Sequence, residues 1–224
     1  WVCGGAVSLI EALMEVVTSE GTLVMPAHSG DYSDPKYWSN PPVPEDWYEI
    51  IRNEMPAYKP SITPTRGIGV VPEVFRQYPG VKRSDHPCLS FTAWGKDADE
   101  IVSNHNLSYS MGEESPLGDI YRRKGNILLI GVDHESNTSL HLAEYMADYN
   151  KKVKKFGSPV LKNEKRIWAE YEDIDFDSDD FNEVAEAYED KNEYLSFKLG
   201  QAEAKLFSQK DFVDFAVSWF EKNR

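Results

Sequence analysis

His141 and Glu144 stand three residues apart in the run Thr138-Ser139-Leu140-His141-Leu142-Ala143-Glu144. On a helix that spacing puts both side chains on one face. A carboxylate beside an imidazole fixes its tautomer and stabilises the imidazolium, so the pair can serve as a general base. It can equally be a structural helix-face pair. As a metal site it falls short. The second histidine of the zinc-protease helix motif is missing, and His86 and His134 add ligands only if folding brings them near. We expect no metal.

A second polar cluster is Arg83-Ser84-Asp85-His86-Pro87. Serine and histidine together could point to a hydrolase, but no Gly-x-Ser-x-Gly elbow occurs, so His86 reads as a hydrogen-bonded loop histidine. Cys3 and Cys88 lack any local nucleophile signature and cannot form a disulfide framework. Gly4-Gly5, and Thr65-Arg66-Gly67-Ile68-Gly69, each precede a helix and could receive an anion at its N-terminus. Neither is a Walker or dinucleotide fingerprint.

The elements that must position these groups can be read from periodicity. Ala6, Leu9, Ile10, Leu13, Val16 and Val17 repeat at helical spacing up to Gly21, and Thr22 to Ala27 reads as a buried strand. Residues 28–60 carry many prolines and aromatics and read as loop, with one short helix near Glu45 to Glu54. A loop of that length is often functional. Next come a helix over 67–77, a strand over 90–94 and a helix over 96–104. Ser115-Pro116 opens a helix as cap and first residue. Asn126 to Val132 is the clearest buried strand, and the helix over 138–149 follows it. Arg166 to Phe176 reads as an exposed strand, and Phe181 to Asn192 as an acidic helix. Two strands meet at Gly200. Ser208 caps a final helix with Phe212, Phe215, Ala216, Trp219 and Phe220 on one face. Helices and strands mix throughout, which means α/β, or α+β.

With 224 residues, 41% of them hydrophobic, the chain can bury a real core. No apolar run approaches the ~20 residues that span a bilayer, so we expect no membrane partner. The net charge of −14, from 38 acidic and 24 basic residues, argues against nucleic acid and for solubility or a cationic ligand. The chain reads as cytoplasmic, with reduced thiols. The sequence begins at Trp1 in what looks like the middle of a protein, and we expect residues before it.

In their order, these segments resemble the aminoglycoside N3-acetyltransferases. The likeness runs through Trp1-Val2-Cys3-Gly4-Gly5, Glu20-Gly21-Thr22-Leu23 and Met25-Pro26. It continues in Thr63-Pro64-Thr65-Arg66-Gly67-Ile68-Gly69, Glu73-Val74-Phe75-Arg76, Arg83-Ser84-Asp85-His86-Pro87, Ser115-Pro116-Leu117 and Thr138 to Glu144. The proline-rich loop and Trp168-Ala169-Glu170-Tyr171 resemble in particular a YokD-like branch from Bacillus. The resemblance implies a single domain over 1–224, of which 151–224 is the more divergent portion. It also implies a central mixed β-sheet flanked by helices, unlike the common small acetyltransferase fold.

The activity it implies is acetyl transfer from acetyl-CoA to the 3-amino group of a 2-deoxystreptamine ring. His141 would be general base and Glu144 its orienting carboxylate, with Thr138 a candidate for stabilising the oxyanion. Val2, Gly4, Gly5, Thr63, Thr65 and Gly67 would bind coenzyme A. Asp31, Asp34, Asp133, Glu135 and Tyr145 would bind the cationic acceptor. The alternatives are an acetyltransferase for another amine and a non-catalytic protein that binds CoA or an amine. The stretch His-Ser-Ser-Leu that precedes the Gly-Gly turn in the family is absent from this sequence. The sequence leaves the oligomeric state open.

Overall fold

The computed structural model describes residues 3–224. In chain order the elements are α1 (Gly5–Val17), β1 (Thr22–Pro26), α2 (Tyr48–Glu54), α3 (Val70–Phe75), β2 (Lys82–Arg83), β3 (Phe91–Gly95), α4 (Ala98–Ser103), α5 (Pro116–Arg122), β4 (Asn126–Ile130), α6 (Ser139–Met146), β5 (Val153–Lys162), β6 (Lys165–Ile174), α7 (Phe181–Glu189), β7 (Leu195–Leu199), β8 (Ala202–Ser208) and α8 (Gln209–Asn223). They sort into two compact units. One comprises residues 3–110 and 154–173. The other comprises 111–153 and 174–224.

In the first unit β3 is central, paired antiparallel with β1 on one side and β2 on the other. The apolar stripe of α1 buries Ile10 against Met25 and Phe75, with Leu13, Val74 and Trp94 around them. The helix stops where Thr18 takes a positive φ and Gly21 lies so close to Val17 that a Cβ would collide with it. The helix expected over 67–77 shrinks to α3, because Gly67 and Gly69 sit at φ +77° and +84°, outside helical space. The proline-rich segment is mostly loop, with a 3₁₀ turn over Glu45–Trp47 running into α2. It is pinned at Arg52, whose guanidinium grips Asp34 at 2.9 and 3.2 Å.

The β5–β6 hairpin is more than the single exposed strand expected here. Its turn residues Asn163 and Glu164 are both at positive φ, the geometry that suits a two-residue hairpin. Gly157 lies within β5 because the Trp168 indole packs against it, leaving no room for a Cβ. β6 ends buried at Tyr171, Asp173 and Ile174 rather than exposed.

In the second unit β8 is central, with β4 and β7 antiparallel on either side. The register runs from Asn126↔Ser208 to Ile130↔Ala204. α6 packs on α8, and α8 packs on α5 and α7. Phe181, Phe207, Phe212, Val213, Ala216 and Phe220 fill the core. Both predicted caps form: Ser115 accepts from the Leu117 N–H and Ser208 from that of Asp211.

The mixture of helices and strands is as expected from the sequence. The single central mixed sheet is not what the described residues form: their strands make three separate small antiparallel sheets. Parallel neighbours need a crossover of a dozen or more residues. Here β5–β6 and β7–β8 reverse through tight turns, and the longer connections from β1 to β3 and from β4 to β8 also return antiparallel.

Candidate active site

Helix α6 buries Leu140, Ala143 and Glu144, spaced as a core face. Glu144 is the anomaly, since a carboxylate with no exposure must be paired. It has three partners. Oε2 meets His141 Nδ1 at 2.5 Å, while Oε1 accepts from Arg224 Nη1 at 2.7 Å and from the Asp177 N–H at 3.1 Å. A carboxylate that balances a guanidinium is an acceptor only, so Nδ1 of His141 must carry the proton it shares with Oε2. Nε2 then holds the lone pair, and no group among the described residues occupies it. The ring is seated edge-on against Phe176 and tilted on Phe181, with centroids at 5.2 and 5.0 Å, and 17% of the side chain remains exposed. An oriented, partly open imidazole with a free nitrogen can take a proton from a bound nucleophile.

Three aromatic and acidic residues nominated from sequence, and Thr138, share this unit. Tyr145, one turn beyond His141, tilts against the same Phe176, and its hydroxyl meets the Met111 N–H at 3.5 Å. Asp133 and Glu135 are exposed. Asp133 lines a cavity of about 640 Å³ together with His134, Asn182, Glu186, Glu189 and Lys205, and Glu135 accepts from Asn182. His134 is spoken for at both ring nitrogens: Nε2–H donates to Glu189 and Nδ1 accepts from Asn137. Thr138, on the loop before α6, spends its N–H on the Ser136 carbonyl. That leaves only its hydroxyl as an oxyanion donor.

The other nominees lie in the first unit. Val2 lies outside the described residues. Gly4 and Gly5 have φ of +83° and +62° at the exposed start of α1, which has no side-chain cap. Its first N–H groups are available to an anion. Gly67 is open, with nothing near the position of an added Cβ. Thr63 is buried, and its hydroxyl accepts from the Lys59 N–H. Thr65 gives both N–H and O–H to Glu73. Both threonines therefore shape the loop, and Thr65 has both of its donors committed. The Arg76 guanidinium and Thr65 hold the Glu73 carboxyl down at about 2. Asp31 is exposed and faces Arg66 at 3.7 Å. Asp34 is buried and already neutralised by Arg52, which leaves it little charge for a cationic ligand.

His86 is the structural histidine expected. Nδ1 accepts from the Cys88 and Leu89 N–H groups and Nε2 donates to the Leu107 carbonyl. It stacks on His105 at 4.9 Å. His105 in turn takes the Ser84 hydroxyl on Nδ1 and gives Nε2–H to the Ser110 carbonyl. Ser84 is buried and its oxygen also accepts from the Phe91 N–H, so this serine–histidine contact is closed on all sides. Cys88 is buried beside Ser158, and burial pushes its thiol up. No group of three or more His, Cys, Asp or Glu among the described residues could hold a metal ion.

Sequence reasoning missed Arg224, Phe176, Phe181 and Asp177. They come from segments 35 to 83 residues beyond His141, with no local motif linking them to it. The one available signal was Asp179-Asp180 before α7, an acidic pair that attracts a cation.

A buried Glu behind a partly open His, on a helix after a strand, in this order of segments, defines the class. The aminoglycoside 3-N-acetyltransferase family model matches residues 1–221, and the chain belongs to that family. It is 50% identical over 224 residues to the SPbeta prophage-derived aminoglycoside N(3′)-acetyltransferase-like protein YokD of Bacillus subtilis, covering 100% of this chain and 82% of that protein. The crystal structure of YokD matches with a TM-score of 0.97, covering 100% of this chain and 83% of that one. Aminoglycoside N(3)-acetyltransferase IX of Micromonospora chalcea is 32% identical over 241 residues, covering 99% of this chain and 83% of that enzyme. The structure of AAC-IIIb in binary complex with CoASH matches with a TM-score of 0.86 at 28% identity, covering 98% of this chain and 84% of that chain.

Proposed function

We propose that this protein transfers the acetyl group of acetyl-CoA to the 3-amino group of a 2-deoxystreptamine aminoglycoside. Family membership supports the reaction class, and the CoASH complex of AAC-IIIb supports the donor. The observation that carries the mechanism is the 2.5 Å contact between His141 Nδ1 and the buried Glu144 carboxylate. The acceptor ammonium first loses one proton to solvent. The neutral amine attacks the thioester carbonyl, forming an N–C bond, and His141 Nε2 takes its second proton. The imidazolium that results faces the Glu144 carboxylate. Collapse of the tetrahedral adduct breaks the C–S bond, and His141 returns the proton to the leaving thiolate. Transfer is direct in this reading: Cys88 is buried and Ser84 is closed off, so neither is placed to form an acetyl-enzyme.

The start of α1 and the open backbone at Gly67 suit the phosphates and pantetheine of the donor. Asp133, Glu135 and Tyr145 suit a polycationic sugar, as does the charge of −14. The site acts in the cytoplasm, where acetyl-CoA is made. The test is acetyl-CoA-dependent thiol release with a panel of aminoglycosides and simple amines. Turnover confined to 2-deoxystreptamine compounds supports this reading. Turnover with another amine moves the acceptor and keeps the chemistry.

A further inference from the structure

Arg224 reaches Glu144 from the end of α8 and does more than neutralise it. Nη1 binds Glu144 Oε1 at 2.7 Å and the Tyr149 hydroxyl at 3.0 Å. Nε and Nη2 bind both oxygens of Asp180 at 2.8 and 2.5 Å, and Nη2 also donates to the Asp177 carbonyl at 2.8 Å. The guanidinium lies over the Phe220 ring at 4.0 Å. Its titratable neighbours are therefore Glu144, Asp180 and Tyr149. Burial works against its charge, but the hydrogen bonds to Asp180, Glu144 and Tyr149 outweigh burial and raise its pKa above the ordinary guanidinium range.

A carboxylate with no exposure needs a charge beside it, and Arg224 supplies one on Oε1 while leaving Oε2 to His141. With Oε1 released, the carboxylate could turn away and leave Nδ1 without a fixed acceptor. The Asp177 N–H alone offers only a partial charge. The same guanidinium ties down 177–180, the segment between the two phenylalanines that seat the His141 ring.

We propose that Arg224 is a positioning residue of the acetyl-transfer reaction: by joining Glu144 to the 177–180 segment, it holds the Glu144 carboxylate against Nδ1 and keeps His141 presenting its Nε2 lone pair. This rests on the reading of His141 as the base. The test is chosen so that the two can fail separately.

Protein labelled with ¹⁵N-histidine is examined by NMR at neutral pH without substrate, with His141→Ala identifying the resonance. The parent is expected to show a protonated Nδ1 and a bare Nε2 on His141. Arg224→Met is expected to lose that pattern, and to lower kcat about 100-fold with KM for acetyl-CoA changed by less than about threefold. In a Glu144→Gln background the same substitution is expected to add nothing, because its effect passes through Glu144. A folded Arg224→Met protein with the parent pattern overturns the proposal, and so do multiplying effects in the double variant. If Arg224→Met does not fold, Arg224→Lys decides. Lysine keeps the charge but cannot span Glu144, Asp180 and the Asp177 carbonyl at once. Mixed tautomers support the proposal and an unchanged ring overturns it. A shifted ring pattern in a protein whose parent shows no turnover supports Arg224 as the group that orients His141 and removes the acetyl-transfer reading.

Discussion

Glu144→Gln changes one atom of a buried side chain and removes its charge. An amide has one acceptor oxygen, yet three donors point at this position: His141 Nδ1–H, Arg224 Nη1 and the Asp177 N–H. If the oxygen turns to His141, the amide NH₂ faces two donors. If it turns to Arg224 and Asp177, the NH₂ faces Nδ1, which must then be bare, and Nε2 carries the proton and is no base. The charge has its own effect. An imidazolium and a carboxylate with centres ~4 Å apart attract by about 4 kcal/mol at an effective dielectric of 20. Arg224 stays in both proteins and drops out of the comparison, so the lost attraction is at most about 4 kcal/mol, or roughly 10³-fold in rate. Loss of the base tautomer acts on the same proton transfer, so kcat should fall by about 10²–10⁴, the range of general-base catalysis. KM for acetyl-CoA should change by less than about threefold, since no donor contact is touched. The assay is thiol release from acetyl-CoA followed with a disulfide dye. A folded Glu144→Gln enzyme within about threefold of the parent kcat refutes the reasoning.

Acid should unfold the first unit early. Burial holds His105 down at about 4 from 6.5, and burial together with the neighbouring His105 lowers His86 well below its usual range. Between those values the unfolded chain binds more protons, so stability is whole above about pH 6.5 and is lost as pH falls toward 4. His105 alone accounts for about 3 kcal/mol at 1.36 kcal/mol per unit. Urea denaturation at pH 7 and pH 4.5 measures this, and equal stabilities would contradict it. Cys88→Ala should keep turnover within about threefold, because the thiol is buried and protonated. Abolished turnover would replace direct transfer with an acetyl-enzyme. Phe220→Ala removes a fully buried ring that touches Phe181 and Tyr149, and should cost about 3–5 kcal/mol in urea denaturation.

The sequence made some of this fold and site legible and concealed the rest for physical reasons. α1, β1, β4, α6 and α8 follow local periodicity, and the Ser115 and Ser208 caps formed as read. β5 was hidden because Gly157 and Pro159 look like breakers, and only the packed Trp168 indole explains the glycine. His141 and Glu144 were visible because their contact is local, at three residues' separation. Arg224 was not, since its contact with Glu144 spans 80 residues and nothing in α8 announces it. Asp34 looked like a ligand for cations, but Arg52, eighteen residues on, had already claimed it. Thr65 looked like a donor to phosphate, yet both its donors go to Glu73.

The central claim is that His141 takes the acceptor's proton during acetyl transfer. The most direct measurement is thiol release from acetyl-CoA in the presence of 2-deoxystreptamine aminoglycosides, by the parent and by His141→Ala. The account predicts release that needs the aminoglycoside and falls by about 10²–10⁴ in the variant, with acetyl-CoA binding intact by calorimetry. Release at parental rates from a folded His141→Ala protein would contradict it.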